Sequence, residues 1–442
     1  MSEPAADCII VGGGLAGLAC ARTLHAAGRR LLLLEASERL GGRVATESVE
    51  GFRIDRGFQV YLDAYPEGRR QLDHASLELG RFEPGAILAE GPRLRRLADP
   101  WRRPLAAVGS LVDGTVGLAD ALRIASLRGE LVRKLRAGQL DPKRAVADER
   151  STREMLLARG FSEGFIRRFF EPFFGGVFLE RELATSEAVF AFSFAMFSVG
   201  SACLPAGGMQ AIPRQLAAGL PAEAIRVATP VAAVEPGRVR LADGGELTAE
   251  AVVVATDAAA AGRILPAAAA GEAGDPGGRA WKATRLVAFR AERSPLGGPT
   301  LLVVADEPGA AAASSGPISN LTVPSDVAAG YAPPGVSLVA VSVREDWQEA
   351  GEPLADAIRR QASAWFGETA LGWQTLAEIE VPHALPVETP QSRRERPAES
   401  LLGNRLFLCG DHLTTASING ALGSGRRCGE AVAAALSAAS SR

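Results

Sequence analysis

Three glycines near the N-terminus have the spacing that phosphate binding requires. Gly12, Gly14 and Gly17 form the pattern G-x-G-x-x-G. The first glycine allows a tight turn, the second lets the backbone approach a pyrophosphate, and the third lets a helix pack closely on a strand. Glu35 follows at about the distance where a carboxylate accepts hydrogen bonds from a ribose diol and repels a 2′-phosphate. Together these residues predict a site for a dinucleotide that has no 2′-phosphate.

The elements that must position these residues can be read on either side of them. Cys8 to Val11 is a short apolar run, as expected of a parallel strand buried on both faces. Residues 15 to 27 are mostly Ala and Leu and end before Gly28, which predicts a helix whose positive N-terminus faces the phosphates. A second apolar strand, Leu31 to Leu34, leads into Glu35. Gly-rich turns are common, but this order of elements favours a dinucleotide site over a structural turn.

The next residues indicate which dinucleotide is bound. Glu35-Ala36 is followed by Gly41-Gly42-Arg43. With the glycine turn, this pattern resembles the extended fingerprint of FAD-binding oxidases in the superfamily of amine oxidases, phytoene desaturases and protoporphyrinogen oxidases. The resemblance implies that Arg43 reaches the pyrophosphate of FAD, where a fixed guanidinium charge suits phosphate oxygens. It also implies that Gly57, in the segment Asp55-Arg56-Gly57-Phe58, lets the backbone approach the flavin ring.

The C-terminal part of the chain resembles the second FAD signature of the same superfamily. Leu406 to Cys409 predicts a buried strand, Gly410-Asp411 a turn, and Ile418 onward the final helix. The resemblance implies that Asp411 accepts hydrogen bonds from ribityl hydroxyls. It also implies that the N-terminus of the last helix faces the N1–C2=O edge of the flavin, where its dipole favours the negative charge of reduced flavin. The residues predicted to bind FAD, including the backbone of Val231 against adenine, are Gly12, Gly14, Leu15, Ala16, Gly17, Glu35, Ala36, Gly42, Arg43, Gly57, Phe58, Val231, Gly410, Asp411, Ile418, Asn419 and Ala421.

The resemblance implies an α/β fold with a Rossmann-like FAD-binding domain and an inserted α+β substrate domain. Residues 1–65, 205–281 and 400–442 are expected to form the discontinuous FAD-binding domain, and residues 66–204 the helical part of the substrate domain. Residues 282–399 are predicted to form an antiparallel sheet, because TRLVAFRA, TLLVVA, ISNLTV and VSLVAVSV alternate as strands do. One helix, about Pro353 to Phe366, interrupts it. The Ala/Gly-rich stretch from Pro266 to Gly278 predicts a loop.

Phenylalanine is concentrated in one stretch of the predicted helical part. Eleven of the seventeen Phe of the chain lie between residues 161 and 197. Phe161, Phe165, Phe169 and Phe173 share one helical face until a proline disturbs the helix. Core packing explains many of these side chains, whereas their density also suits the wall of an apolar substrate tunnel. Both interpretations stay open at this point.

The first half of the predicted helical part is basic. From Arg93 to Arg153, Lys and Arg outnumber Asp and Glu by seven. Leu118 to Leu135 has helical apolar spacing with a basic face. Such a helix either lies on an anionic membrane or presents a solvated face, and both interpretations stay open. Because no run is long and apolar enough to span a bilayer, we expect any membrane contact to be peripheral.

Composition limits the remaining function classes. The chain has 442 residues, enough for two domains, and a net charge of −3 with a pI near 6.0. No nucleic-acid partner is therefore expected. The N-terminus has no basic leader or apolar h-region. Five cysteines without a C-x-x-C pair favour reduced thiols and a cytoplasmic location, and no Cys or His spacing indicates a metal site.

The resemblance implies an FAD-dependent oxidoreductase, because FAD takes hydride from a substrate C–H. The leading hypothesis is an oxidase or desaturase that acts on an apolar substrate, either isoprenoid or tetrapyrrole. The alternatives are a flavin amine oxidase, a flavin-dependent isomerase and a non-catalytic FAD-binding protein. Because only one convincing dinucleotide fingerprint is present, the expected electron acceptor is oxygen, a quinone or another protein.

The sequence departs from the amine oxidase pattern at several places. Ser417 stands where those enzymes commonly place an aromatic residue over the flavin. No cysteine lies between Cys203 and Cys409, so FAD is expected to be non-covalent. The strand that carries a lysine near the flavin N5 in many members offers Lys282 or Arg285 here, and both stay open. No catalytic residue is therefore assigned.

Overall fold

Two large sheets, two small sheets and a group of helices make up the fold. The computed structural model describes residues 6–99, 101–102, 117–143, 148–266, 280–305, 316–348, 351–396, 400–403 and 405–440. In chain order the strands of these residues are β1 (Ala6–Val11), β2 (Leu31–Leu34), β3 (Thr46–Val49), β4 (Phe52–Asp55), β5 (Tyr61–Leu62), β6 (Leu79–Arg81), β7 (Gly85–Glu90), β8 (Arg93–Ala98), β9 (Ala202–Pro205), β10 (Ile225–Arg226), β11 (Val231–Glu235), β12 (Arg238–Leu241), β13 (Glu246–Val254), β14 (Trp281–Ala291), β15 (Leu301–Ala305), β16 (Ile318–Thr322), β17 (Ser337–Val343), β18 (Gln374–Pro386), β19 (Ser400–Leu401) and β20 (Leu406–Leu408).

The helices differ greatly in length. They are α1 (Leu15–Ala26), α2 (Pro66–Gln71), α3 (Leu118–Arg136), α4 (Thr152–Ala158), α5 (Glu163–Phe165), α6 (Glu171–Phe178), α7 (Glu187–Val199), α8 (Ala211–Ala218), α9 (Ala258–Ile264), α10 (Pro324–Val327), α11 (Leu354–Phe366), α12 (Pro390–Arg394) and α13 (Ile418–Ser440). Short 3₁₀ turns lie at Ala222–Ala224, Ala329–Tyr331, Gly367–Gly372 and Asp411–Leu413. Among the described helices, none has both the length and the apolar character that crossing a membrane requires.

The first large sheet has a parallel centre in the order β10-β2-β1-β13-β20. In β1, Cys8 and Ile10 pack on one face with residues of α1, whereas Ile9 and Val11 pack on the opposite face. β13 continues into an antiparallel extension with β12 and β11, and β19 pairs antiparallel with β20. The predicted order of strand, glycine turn, helix and strand at the N-terminus is confirmed, as are the C-terminal strand and helix.

The helices that follow the two predicted FAD signatures pack on each other. α1 and α13 come from opposite ends of the chain and lie in contact. Glycines make the approach close: a Cβ at Gly425 would lie 2.0 Å from the Ala16 carbonyl oxygen, and a Cβ at Gly429 would lie 2.9 Å from the Cys20 carbonyl oxygen. Since real Cβ contacts are never that short, larger residues at these positions of α13 would push the helices apart.

The second large sheet has the order β18-β14-β17-β16-β15-β7-β8. Its neighbouring strands are antiparallel, except that β15 and β7 are parallel. The four strands predicted by alternating runs are confirmed as β14 to β17, and the predicted interrupting helix is α11. Leu354, Ile358 and Ala362 of α11 pack on one face of this sheet.

The stretch from residue 66 to residue 204 is not helical throughout, contrary to the sequence prediction. β7 and β8 form a hairpin that completes the second sheet, while β6 and β9 join β5 in a three-stranded sheet. β7 joins this sheet through β15 and β6 pairs with β9, both far away along the chain, so short local runs such as GAILAE did not reveal these strands. The apolar stretch from Ile225 to Val234, which the sequence favours as one strand, is divided into β10 and β11. The predicted loop from Pro266 to Gly278 lies outside the described residues, apart from Pro266.

The Phe-rich segment forms α5, α6 and α7, which pack as one apolar cluster. The helix is not broken at Pro172. A π-helical turn, Ile166–Phe170, joins α5 to α6, and Pro172 occupies the first turn of α6, where a missing N–H is tolerated. The ring centroids of Phe174 and Phe190 are 4.7 Å apart, within the range of favourable aromatic pairs.

Candidate cofactor and substrate site

One cavity of about 1200 Å³ extends from the glycine turn after β1 to the Phe-rich helices. The carboxyl ends of β1, β2, β13 and β20 border one end, where ligands bind in open α/β sheets. Side chains of α6, α7 and the second sheet, such as Phe173, Phe194 and Val303, border the other end. A pocket for one small ligand measures roughly 300–1,000 Å³, so this cavity has room for a large cofactor together with a substrate.

Most of the predicted cofactor-binding residues line this cavity. They are Gly12, Gly14, Leu15, Ala16, Glu35, Ala36, Gly42, Arg43, Gly57, Phe58, Val231, Gly410, Asp411, Ile418 and Ala421. Gly17 lies behind the turn, where its Cβ would be 1.9 Å from the Gly12 carbonyl oxygen, so only glycine fits between turn and helix. Asn419 is not brought to the cavity. Its Oδ1 accepts a hydrogen bond from the Glu67 backbone N–H (3.0 Å) and so caps α2, whose first N–H groups need acceptors.

The glycine turn fits a pyrophosphate. Gly14 is the N-cap residue of α1. The first N–H groups of an α-helix have no intrahelical partner. In α1 no side chain caps them either. Apart from its chain neighbours and its own helix, nothing lies within 4 Å of the Cβ position of Gly14, and a Cβ at Gly42 (φ +58°) would lie 3.5 Å from the Gly14 Cα. The backbone is therefore bare on the cavity side, and the N-terminus of a helix is a favourable place for phosphate.

The Glu35 carboxylate fits a ribose. Its Oε2 accepts a hydrogen bond from the Gly13 backbone N–H (2.7 Å), and its Oε1 accepts from the backbone N–H (2.9 Å) and hydroxyl (2.8 Å) of Ser37. A carboxylate has about four acceptor positions, so Oε2 keeps capacity for a ribose hydroxyl. The Glu35 carbonyl accepts from the Thr229 N–H (2.8 Å), which brings Val231 to the same end of the cavity.

An ion pair joins the two predicted FAD signatures. Arg43 Nη2 lies 2.5 Å from Asp411 Oδ1, and Arg43 Nη1 donates to the Ala384 carbonyl oxygen (2.9 Å). Burial by itself would raise the pKa of Asp411, but the Arg43 guanidinium outweighs it and holds that pKa below its ordinary value. Both residues were predicted to contact FAD at different points, and in this structure they contact each other.

A buried carboxylate positions the segment that carries Gly57. Asp55, at the end of β4, accepts hydrogen bonds from the Thr46 hydroxyl (2.5 Å), the Tyr331 hydroxyl (2.6 Å) and the Met209 backbone N–H (3.0 Å). Burial raises the pKa of Asp55 to about 6, although these three donors lower it. Gly57 has φ +83°, and a Cβ there would lie 3.2 Å from the Thr284 Cγ2. A side chain at Gly57 would thus be both strained and crowded.

Ser417 has a structural reason to be a serine. Its Oγ accepts a hydrogen bond from the Gly420 N–H (3.0 Å) at the start of α13, which an aromatic side chain could not do. An aromatic wall is supplied from elsewhere. Tyr65 and Phe192 both line the cavity, and their rings are stacked with centroids 6.3 Å apart and an interplanar angle of 2°.

Lys282, and not Arg285, lies in the wall of the main cavity. The Lys282 ammonium forms an ion pair with Glu180 and also donates to the Phe178 carbonyl oxygen (2.9 Å) and the Thr185 hydroxyl (3.4 Å). Arg285 pairs with Glu378 and Glu380 on the adjacent strand β18. Lys282 therefore ties β14 to the end of α6 and to the residues that follow it.

Sequence reasoning missed a buried acidic residue at the flavin-signature end of the cavity. The Glu388 carboxylate accepts hydrogen bonds from the Ala416 backbone N–H (2.9 Å) and from Arg396 Nη2 (2.8 Å). Arg393 pairs with Glu149 at 3.2 Å, and both side chains are fully buried. These contacts hold the segment before α13. No sequence pattern indicates them, because the partners come from distant parts of the chain.

Asp257 was also missed, although a signal existed. It lies three residues after the end of β13, lines the cavity, and accepts a hydrogen bond from the Ala260 N–H (2.8 Å) as the N-cap of α9. A polar residue after a central buried strand is expected at the ligand-binding edge of such a sheet.

In the part of the chain that the structure describes, no group of three or more His, Cys, Asp or Glu could hold a metal ion.

Comparison with known proteins identifies one family. The family model described as flavin containing amine oxidoreductase matches residues 15–433. A coproporphyrinogen III oxidase of Propionibacterium freudenreichii subsp. freudenreichii is 27% identical over 172 residues, which are 38% of this chain and 31% of that protein. A phytoene dehydrogenase of Streptomyces griseus is 32% identical over 255 residues, 48% of this chain and 46% of that protein. The matches thus span less than half the length of these two relatives.

A solved structure resembles nearly the whole chain. A putrescine oxidase with putrescine bound has a TM-score of 0.72 and 16% identity, covering 97% of this chain and 99% of that chain. Identity this low shows the fold alone. The predicted α/β fold is confirmed by this likeness.

The first prediction concerns Glu35. Glu35→Ala is expected to weaken FAD binding at least tenfold, because a charge-assisted hydrogen bond from a ribose hydroxyl to Oε2, worth roughly 1.5–3 kcal/mol, would be lost. The measurement is the Kd of the apoprotein for FAD by fluorescence titration. Glu38→Ala, an exposed residue of the same loop, is the matched control. An unchanged Kd for Glu35→Ala, in a variant with normal thermal unfolding, would leave Glu35 with only its contacts to Gly13 and Ser37.

Proposed function

This chain belongs to the flavin containing amine oxidoreductase family, and we propose that it is an oxidase or desaturase that takes hydride from an apolar substrate. A flavin-containing family implies FAD, which supplies the chemistry by accepting hydride from a substrate C–H. Oxygen, a quinone or another protein is the proposed electron acceptor. The observation that carries the substrate class is the apolar wall that continues from the cofactor end of the cavity.

The Phe residues of that wall support the apolar substrate. Phe161, Phe170 and Phe190 pack only in the core of the helical cluster. The remaining Phe of the segment face the cavity and are Phe165, Phe169, Phe173, Phe174, Phe178, Phe192, Phe194 and Phe197. Burial against such a wall contributes roughly 25 cal/mol for each Å² of apolar surface. A long hydrocarbon gains much from this, whereas a small charged amine loses its hydration.

Isoprenoid and tetrapyrrole compounds are the proposed substrate classes. The names of two relatives support them, since one is a phytoene dehydrogenase and the other a coproporphyrinogen III oxidase. An amine oxidase is the second candidate, favoured by the position of Lys282 in the cavity wall. Because the three N–H groups of Lys282 all have acceptors in the protein, we propose that this lysine fixes the wall and transfers no proton.

The proposed tasks of the chain's own residues follow from their positions. The N-terminus of α1 and Arg43 hold the pyrophosphate, Glu35 holds the adenosine ribose, and Asp411 accepts from the ribityl chain. Because Gly57 has no side chain, it leaves room for the flavin ring beside Thr284. The Phe wall then holds the reacting C–H near the ring and excludes water.

The domain limits stay a proposal. We propose that residues 1–65, 205–281 and 400–442 form the FAD-binding domain, since the parallel centre of the first sheet draws its strands from these ranges. Residues 66–204 and 282–399 form the substrate domain. The hairpin of β7 and β8 supports joining these two ranges, because it extends the sheet of β14 to β18.

A peripheral contact with an anionic membrane is proposed for α3. Leu118 and Leu122 of this helix are 70% and 65% exposed, and Trp101 nearby in the chain is 41% exposed. Ala121, Ile124 and Ala125 of the same helix line the cavity. Arg133, Lys134 and Arg136 add positive charge to its last turn. An apolar substrate could then pass from the bilayer to the cavity beside this helix.

The second prediction is that FAD is bound non-covalently. No cysteine occurs among the described residues that line the cavity, and all five cysteines are buried elsewhere. Acid denaturation of the purified holoprotein should therefore release FAD into the supernatant, measured by its absorbance and mass. Flavin that stays on the precipitated polypeptide would contradict non-covalent binding.

The third prediction concerns the membrane. At low salt the protein should sediment with vesicles of phosphatidylglycerol, and high salt should release it by screening the basic residues. The double substitution Leu118→Ser and Leu122→Ser should weaken this binding at least tenfold, because two large apolar side chains no longer enter the bilayer. Leu371→Ser, at a 54% exposed leucine in the Gly367–Gly372 turn, is the control. Failure of the wild type to sediment at low salt would leave α3 with a solvated face.

The fourth prediction tests the substrate class. Under anaerobic conditions, a phytoene-like polyene or a porphyrinogen in detergent should bleach the flavin absorbance of the holoprotein rapidly, whereas benzylamine and a polyamine should not. Fast bleaching by either amine, with none by an apolar compound, would make the amine oxidase the better assignment. An isomerase would convert its substrate without lasting bleaching, and a non-catalytic protein would respond to none of the compounds.

A further inference from the structure

Two arginines line the cavity at the C-terminus of α7, beside the Phe wall. Arg102 follows β8, Arg128 lies on α3, and both are part of the cavity wall together with Phe197 and Ser198. Arg102 Nη2 donates to the carbonyl oxygens of Phe197 (3.2 Å), Ser198 (3.4 Å) and Gly200. Arg128 Nη2 also donates to the Ser198 carbonyl oxygen (2.9 Å). Because both arginines bind the same oxygen, two guanidinium charges lie close together in this wall.

The negative groups at this place do not balance the two guanidinium charges. The last carbonyls of a helix carry roughly half an elementary charge. Asp99 supplies one further negative charge, 3.7 Å from Arg102 Nε. Among the residues with described positions, no acidic side chain pairs with Arg128, whose guanidinium lies over the Trp101 ring at 4.6 Å. This part of an otherwise apolar wall therefore keeps a surplus of positive charge.

Arg128 also keeps hydrogen-bond donors for a ligand. A guanidinium has five N–H groups, and the Ser198 carbonyl oxygen is the acceptor that Arg128 finds in the described part of the chain. Arg128 Nε is shut off from solvent without an acceptor, whereas Nη1 is not shut off. Since Arg128 lines the cavity, an oxygen atom of a bound molecule can accept from Nη1.

The charge surplus selects an anionic group over a neutral one. Hydrogen bonds from a guanidinium to an ionised oxygen are about twice as strong as those between neutral groups. An anion also relieves the repulsion between Arg102 and Arg128. Because the surplus amounts to about one charge once Asp99 and the end of α7 are counted, a carboxylate with its single negative charge suits the site.

We propose that Arg128 binds a carboxylate at one end of the substrate and that Arg102 adds positive charge beside it. The apolar body of the substrate then lies along the Phe wall, and its acidic end lies at α3. The inference rests on the proposed function and narrows its substrate class to apolar compounds that carry a carboxylate. Arg128 is in this view a residue that determines specificity and takes no part in hydride transfer.

The test compares two probes that differ only in the charge of one end. Geranylgeranoic acid carries a carboxylate at pH 8, and geranylgeranoic amide is a neutral molecule of nearly the same shape. Their affinities for the oxidised holoprotein are measured by isothermal titration calorimetry in the same non-ionic detergent. The wild type should bind the acid at least about tenfold more tightly than the amide, because only the acid forms a charge-assisted hydrogen bond with Arg128.

Three variants connect this preference to one guanidinium group. Arg128→Met should reduce the affinity ratio to about one and leave the affinity for the amide unchanged, which also shows that the cavity is intact. Arg128→Lys should keep a preference for the acid of about threefold, because the ammonium keeps the charge without the planar fork. Arg133→Met is the matched control, because Arg133 lies on the same helix, is exposed and does not line the cavity. Equal binding of both probes by the wild type, or an unchanged ratio in Arg128→Met, would overturn the proposal.

The phosphate of an anionic lipid is another source of an oxygen anion near α3, and a second measurement separates the two. Arg128→Met should sediment with phosphatidylglycerol vesicles at low salt like the wild type, because its positive charge faces the cavity. Loss of vesicle binding in Arg128→Met, together with an unchanged affinity ratio for the two probes, would make Arg128 a lipid contact and overturn the carboxylate subsite.

The outcome is distinguishable from failure of the proposed function, because probe binding to the oxidised protein requires no turnover. If apolar compounds bleach the flavin but the acid and the amide bind equally, the carboxylate subsite fails and the apolar oxidase stands. If the acid is preferred but no apolar compound bleaches the flavin, the subsite stands and the proposed reaction fails. If neither probe binds, the subsite is overturned together with the apolar character of the ligand.

Discussion

The ion pair between Arg43 and Asp411 is the contact on which the arrangement of the site depends. It joins the loop after β2 to the turn after β20, at opposite ends of the sequence. Asp411 is buried and Arg43 is partly exposed, so desolvation of the carboxylate offsets much of the Coulomb energy and the contribution of the pair to stability is modest. Its contribution to geometry is larger. The ion pair acts together with the close packing of α13 on α1, which glycines allow. Together they place the N-termini of both helices and two opposite charges at one end of a single cavity.

The opposite end of the cavity is built by a different principle. Phe165, Phe169 and Phe173 stay stacked across the π-helical turn at Ile166–Phe170, and the whole segment divides its rings between a packed core and the cavity wall. The core rings hold α5, α6 and α7 rigid, and this rigidity holds the lining rings in place. Lys282 and Glu180 then tie these helices to the second sheet. Positioning of the cofactor and selection of the substrate are thus separate physical tasks in this molecule.

The relatives of this chain carry names that refer to different compounds, a phytoene dehydrogenase and a coproporphyrinogen III oxidase among them. The cofactor end requires glycines, helix N-termini and two charges, which any member that binds FAD in this way must keep. The substrate end requires only a wall of suitable polarity and shape. In this chain eight Phe side chains of the segment from residue 161 to residue 197 line the cavity. A substrate class is therefore inferred from these residues and not from the fold.

Local patterns determined the elements of this protein, and tertiary contacts determined which of them meet. A linear sequence displays the spacing of the glycine turn directly. It also displays the apolar patterns of the strands near each end of the chain and of β14 to β17. The β15 partner of β7, the Glu67 partner of Asn419 and the Ala416 partner of Glu388 lie far along the chain, and no local pattern records them. Lys282 and Arg285 are three positions apart on one strand, and a register shift between Lys282 and Thr284 interrupts the regular alternation of sides. Which side meets the cavity depends on how the second sheet packs against α6, so only the folded structure decided between them.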